Sequence, residues 1–428
     1  MPCKTIEMIT DQITVVQTIQ LFIQVSVFVP LRFSLLYIYV SRATKKNFLI
    51  FAILLIALNL RPSIAGVGPL IGEIRGDTGL SNSMLGLLTT LPVLAFGLFS
   101  VLTPLFTRKL GTEGTMAFAL ILLTAGILLR VVPVISALYA GTLILGIGIA
   151  LGNVLLPGIV KKRFTRRYGM VTGLYSAMLG VGATIASGIS VPLSEGAGFG
   201  WRWALGAWAL ISVLGLMLWM PQMKNNIPEV TKRGLKSSLK ALGSSKLAWH
   251  VAIFVGLQSL TFYTVIAWLP EILIERGMST GRAGWMLALT QGVGVVGTFV
   301  LPSIISKTSK PGILISIIVA LEVVSILGLI FLSNAMVPLL VSVLGFCLGG
   351  SFGLALLFIV LRSRDTESAN ELSGMAQSIG YSFAAAGPVL FGALYDLANT
   401  WNIPLGFLLV VALVKLWSGI GAGREEYV

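Results

Sequence analysis

From Asn47 onward this 428-residue sequence is a succession of long apolar runs broken by short polar punctuation, and that pattern decides which solvent the chain folds in. Each run matches the ~20 residues a helix needs to cross a bilayer, and none shows the alternation over about ten residues that marks a barrel strand. In hydrocarbon the backbone must satisfy its own polar groups, so such runs form helices. Twelve are read, near 47–72, 84–107, 115–132, 136–159, 169–191, 202–220, 248–270, 282–304, 313–332, 338–360, 372–394 and 404–421. Only 11% of residues are charged, against about 25% in soluble domains, which excludes a soluble globular protein.

The net charge of +14 raises the question of a nucleic-acid partner, and the placement of the charge answers it. With residue 46 inside, the inside segments hold 21 Lys and Arg, including Arg108, Lys109, Lys161, Lys162, Arg163, Arg362 and Arg364. The outside ends hold five: Arg75, Arg130, Arg202, Arg276 and Arg282. Cytoplasmic loops retain positive charge, so both ends of the helical body are expected in the cytoplasm of a cell (inner) membrane. No nucleic acid is expected as a partner. Cys3 and Cys347 are too few for a disulfide framework or a cysteine-based metal site, and no cofactor is expected.

The chain repeats itself. Leu155, Leu156, Lys161, Arg163, Thr165 and Gly173 recur 201 residues later as Leu356, Leu357, Arg362, Arg364, Thr366 and Gly374. Pro104, Lys109 and Gly114 recur 198 later as Pro302, Lys307 and Gly312. The expected fold is therefore an all-α integral membrane protein of twelve transmembrane helices in two parallel six-helix pseudo-repeats, the layout of the major facilitator transporters. The expected parts are an extension over 1–46, peripheral or disordered, a first bundle over 47–220, a cytoplasmic linker over 221–247, a second bundle over 248–421 and a tail over 422–428.

Arg61 stands near the middle of the first span, at a depth where a cation costs about 2.5–3.5 kcal/mol on insertion scales. Pro62 lacks an N–H and opens the helix beside it. One reading is a guanidinium facing a cavity, offering planar donors to a small anion or polar planar solute. The other is a structural cation held by carbonyls or a glutamate. The first is favoured, because no carboxylate lies at matching depth in the spans expected to line a cavity. Gln258 holds the corresponding depth in the seventh span, Gln291 lies in the eighth, Asn153 in the fourth, and Gln377 with Tyr381 one turn on in the eleventh. These neutral groups suit a small polar solute, or equally hydrogen bonds between helices. Glu322 is the one acid deep in a span and Lys415 its counterpart, at depths that let them form a structural ion pair. His250 is read as a loop residue at the mouth of the seventh span, and the glycines of the fourth, fifth, eighth, tenth and eleventh spans as close-packing positions.

Four stretches carry a resemblance: Asn59-Leu60-Arg61-Pro62 with Val67-Gly68-Pro69-Leu70; Asn153-Val154-Leu155-Leu156-Pro157 after Gly146-Ile147-Gly148; Gly256-Leu257-Gln258-Ser259 with Phe262-Tyr263 and Trp268-Leu269-Pro270; and Leu372-Ser373-Gly374-Met375-Ala376-Gln377-Ser378. They resemble the cyanate and 2-nitroimidazole permease family of the major facilitator superfamily, over about 47–421. The resemblance implies a secondary transporter for a small anionic or neutral polar solute, working by alternating access, with Asn59, Arg61, Asn153, Gln258, Tyr263 and Gln377 at matching motif positions. Gln291 and Tyr381 rest on depth and spacing alone. The loop at Arg108 and Lys109 keeps the basic pair and glycine of the superfamily's gating loop and lacks its usual aspartate. A broad drug exporter is the alternative, and an integral membrane enzyme a more distant one, since one histidine and one deep acid offer little chemistry. Protons are the candidate coupling ion, and the chain is expected to work as a monomer.

Overall fold

The computed structural model describes residues 47–164, 168–225, 243–305, 311–364, 366–424 and 426. The extension over 1–46, most of the 221–247 linker, and the cations Arg166, Arg167, Lys307 and Lys310 lie outside the described residues. The chain divides into two compact units, Met1–Ala52 and Ile53–Val428. Of the first, residues 47–52 are described, and they are helical.

Among the described residues twelve helices are long and apolar enough to cross a membrane. They are α1 (Asn47–Thr78), α2 (82–110), α3 (112–129), α4 (Ile135–Arg163), α5 (Tyr168–Val191), α6 (Gly200–Lys224), α7 (Lys246–Glu275), α8 (Thr280–Ile305), α9 (Pro311–Phe331), α10 (Val337–Leu361), α11 (Thr366–Ala398) and α12 (Asn402–Ala422). The apolar runs located the spans, but α1 continues about six residues past its expected end and α11 starts six earlier. Polar first and last turns are invisible to a hydropathy reading. Between α2 and α3 the chain does not leave the helical path except at Gly111, whose φ of 70° falls where only glycine is comfortable. Ser81 and Ser245 cap α2 and α7 by accepting from the N–H groups of Met84 and Ala248.

Alternating crossings put the ends of α6 and α12 and the start of α7 on one face, here the linker side; the opposite face is the far side. Within each half the helices meet through glycine. A Cβ on Gly146 of α4 would sit 2.6 Å from Pro92 of α2, and Gly294 of α8 and Gly349 of α10 bring their backbones together in the matching place. The halves meet where α1 touches α7, α2 touches α11 and α5 touches α8. A Cβ on Gly68 would collide with the carbonyl oxygen of Ile266, and one on Gly86 would lie 2.6 Å from that of Pro388.

One sequence expectation needs correction. His250 is not a loop residue: it lies within α7, its ring 4.6 Å from that of Trp417 of α12. The far-side arginines are more than markers of topology. Arg276 donates to the carbonyls of Leu329 and Leu332 at the end of α9, Arg202 pairs with Asp77 at 2.5 Å while lying over Trp201, and Arg130 is 2% exposed.

Candidate functional site

Helix α1 is broken at mid-depth. Leu60 and Arg61 form a turn, Pro62–Ala65 a short helical piece, and Gly68–Leu70 a 3-10 turn before the helix resumes at Ile71. The cause is local, since Pro62 has no N–H to give Leu58. Leu60 bonds back to Ala57, and Val67 bonds to Ile64 instead of Ser63.

At this break Arg61 faces a cavity of about 230 Å³. Its Nη1 donates to the Tyr263 hydroxyl of α7 at 2.8 Å, and its guanidinium carbon lies 5.8 and 5.9 Å from the ring centres of Phe262 and Tyr263. Cation–π contact and the phenol hydrogen bond replace part of the hydration the cation gave up. Phe96 of α2 wedges edge-on against both Tyr263 and Tyr381, so tyrosines from α7 and α11 are set by one ring.

Arg61, Asn153, Gln258, Tyr263, Gln291, Gln377 and Tyr381 all line this cavity, from α1, α4, α7, α8 and α11. Gln258 Nε2 is turned to Val255 and Ser259, and Gln377 Nε2 to Ser373. Gln291 Nε2 is buried and finds no partner among the described residues, a donor available to a bound molecule. The rest of the wall is apolar, and no carboxylate lies on it among the described residues. Leu156, Pro157, Tyr175, Thr298, Leu356 and Ile359 extend it toward the linker-side ends of α4, α5, α8 and α10.

Asn59 is the exception among the expected site residues. It is fully buried outside the cavity wall, and neither of its amide atoms finds a partner among the described residues. The reason is geometric: two residues along a helix is a turn of about 200°, so Asn59 and Arg61 cannot share a face.

On the far side the halves are latched. Arg75 at the end of α1 pairs with Glu271 at the end of α7 at 2.7 Å and donates to Asn82 at 2.8 Å. Asp396 at the end of α11 accepts from the backbone and side chains of Asn82 and Ser83 at the start of α2, between 2.8 and 3.1 Å. Thr90 donates to the Ala385 carbonyl one level deeper. Sequence reasoning missed this latch, because residues about 200 and 300 apart carry no signal of pairing beyond their place at span ends.

At the linker end of α2, Arg108 and Lys109 are exposed. The acid that follows them, Glu113, is buried and bonded to Arg163 at 2.6 Å within the same half, while its carbonyl accepts from Trp219. Glu322 and Lys415 form an ion pair with both side chains fully buried between α9 and α12, away from the cavity.

A profile of the Major Facilitator Superfamily matches residues 48–388, most of the helical body. The chain belongs to that superfamily. This facilitator is 37% identical over 379 residues to the 2-nitroimidazole transporter of Escherichia coli (strain K12), covering 88% of this chain and 96% of that protein. It is 29% identical over 369 residues to the cyanate transport protein CynX of the same organism, covering 86% and 95%. A solved bacterial homolog of the human lysosomal transporter Spinster, inward-facing and unoccupied, superposes with a TM-score of 0.75 over 89% of this chain and 97% of that one, at 14% identity, a likeness of fold alone. The resemblance read from the four motifs is borne out, and the protein is a multi-pass membrane transporter, not an enzyme.

Proposed function

We propose that this facilitator is a secondary transporter for a small anionic or strongly dipolar planar solute, of the cyanate or nitroimidazole kind, which it binds between Arg61, Tyr263 and the amides of Asn153, Gln258, Gln291 and Gln377. The observation that carries this reading is a guanidinium in a cavity without a carboxylate on its described wall. A buried cation that lacks a counter-charge favours ligands that bring one. The cavity volume of about 230 Å³ lies below the roughly 300–1,000 Å³ of drug-sized sites, which argues against the broad drug exporter.

The linker side is taken as cytoplasmic, in the plasma membrane, and the bundles over 47–220 and 248–421 as the bodies that rock. The cavity then opens inward while the Arg75–Glu271 and Asp396–Asn82 latch closes the outside. To release the other way, the latch parts and the linker-side ends of α4 and α5 approach those of α10 and α11. With no carboxylate on the described cavity wall, a proton that accompanies the solute rides on the solute itself.

The test is flux of labelled cyanate and 2-nitroimidazole into proteoliposomes holding the chain as a monomer. Arg61→Ala should abolish flux with insertion intact, and Arg61→Lys should recover little, because the planar fork is lost. Normal flux in Arg61→Ala refutes the assignment.

A further inference from the structure

Breaking α1 solves one problem and leaves another. Because Val67 turns to Ile64, no backbone N–H among the described residues reaches the Ser63 carbonyl, which is stranded in the membrane interior two residues from Arg61. An unpaired carbonyl there is costly. The missing donor is Arg130, the residue that ends α3. Its Nη1 donates to Ser63 O at 2.8 Å, across 67 residues of sequence.

Arg130 is an unusual choice for that task. It is 2% exposed, and its Nε and Nη2 find no partner among the described residues. It has no carboxylate within ion-pair reach among the described residues. Its guanidinium keeps its charge even when buried. Its stem passes Gly141 of α4, where a Cβ would lie 2.9 Å from the Arg130 side chain, so the neighbouring helix leaves room for it. A chain seeking only to cap a carbonyl has cheaper donors than an unpaired guanidinium. A cation is the donor that bonds a carbonyl most strongly and holds the broken segment in one register.

We infer that Arg130 is a positioning residue for solute binding: by anchoring the Ser63 carbonyl it fixes the non-helical turn at 60–67 and so aims Arg61 at Tyr263 and the cavity. This rests on the reading of Arg61 as the solute-binding cation. Released from Arg130, the turn that follows Pro62 loses its anchor, and a change of one residue in register carries Arg61 about 100° round the helix.

The test uses the full-length chain, with cyanate and 2-nitroimidazole as probes. Arg130→Met should raise the KM of the transported probe tenfold or more, with Vmax within threefold of the parent. Arg130→Lys, which keeps a cationic donor, should recover most of the loss. In an Arg61→Lys background Arg130→Met should change the small residual flux by less than twofold, because the two act through one geometry. Amide exchange needs no solute: in Arg130→Met it should quicken tenfold or more over 60–70 and stay unchanged elsewhere in α1–α6. An unchanged KM, a loss of Vmax and inserted protein alone, or exchange quickened throughout α1–α6 overturns the positioning role. If Arg61→Ala carries solute normally, the solute-site reading fails on its own. If Arg61 is required and Arg130→Met binds normally, only the positioning role fails.

Discussion

The buried pair of Glu322 and Lys415 offers a test in which the two half-broken variants should respond to pH in opposite directions. Both side chains are fully buried, with Ile315, Ile318, Val319, Cys347 and Ala412 in the apolar cluster around them, and Glu322 Oε1 finds no second partner among the described residues. Glu322→Gln leaves an ammonium that must stay charged in that core or shed its proton. Shedding it at pH 7 costs about 4.6 kcal/mol from an ordinary lysine pKa near 10.4. Lys415→Met leaves a carboxylate, and protonating it at pH 7 costs about 3.7 kcal/mol from an ordinary value near 4.3. These sit within the ~3–5 kcal/mol expected when a buried pair loses one partner. The sign with pH then separates the variants. At pH 5.5 the carboxylate penalty falls to about 1.6 kcal/mol, and at pH 8.5 the ammonium penalty falls to about 2.6 kcal/mol. Thermal unfolding of the purified protein at pH 5.5, 7 and 8.5 should show Lys415→Met recovering in acid and Glu322→Gln recovering in base. The double variant should stand near the parent at every pH. If Glu322→Gln keeps its stability at pH 7 and instead loses gradient-driven accumulation, the carboxylate is a proton site and the structural reading is wrong.

Two further outcomes follow from the geometry. The Arg75–Glu271 bond joins an arginine 38% exposed to a carboxylate 7% exposed, and with solvent at the arginine it is worth about 1 kcal/mol. Glu271→Gln should therefore raise far-side labelling of a cysteine at Gln258, in a chain without its own cysteines, by no more than about fivefold, and Asp396→Asn added to it should raise labelling further; unchanged labelling in the double variant refutes the latch. Lys224→Cys should react with an impermeant thiol reagent only from the cytoplasm and Ser333→Cys only from outside, and the opposite pattern overturns the assignment of sides.

How much of this was legible in the sequence depended on whether a residue's partner is required by its chemistry. Arg61 stood out because an isolated cation beside a proline at mid-membrane is too costly to be incidental. Its partner Tyr263, 202 residues away, entered through its motif and not as a partner, because a neutral phenol can be satisfied in many ways. Asn59 was misplaced for a related reason: a motif names residues in a row, while a helix divides neighbours among faces, and 200° of rotation separates it from Arg61. Arg130 was counted for topology because it ends a span, and nothing in a linear reading says that the Ser63 carbonyl has lost its own N–H.

The contrast with Glu322 and Lys415 shows what made the difference. Two opposite charges at similar depth in otherwise apolar helices have almost no tolerable arrangement except contact, so their depth alone foretold the ion pair in the structure. The far-side latch obeys the same electrostatics, yet Arg75 and Glu271 stand at span ends, where a linear reading lets water serve each of them. Their pairing was therefore optional in sequence terms and became definite only once α1 and α7 were brought together at Gly68 and Ile266. On the proposed rocking of the two bundles, such a contact suits alternating access: strong enough to favour one closed end, and weak enough for a solute with differential affinity for the two states to shift the balance.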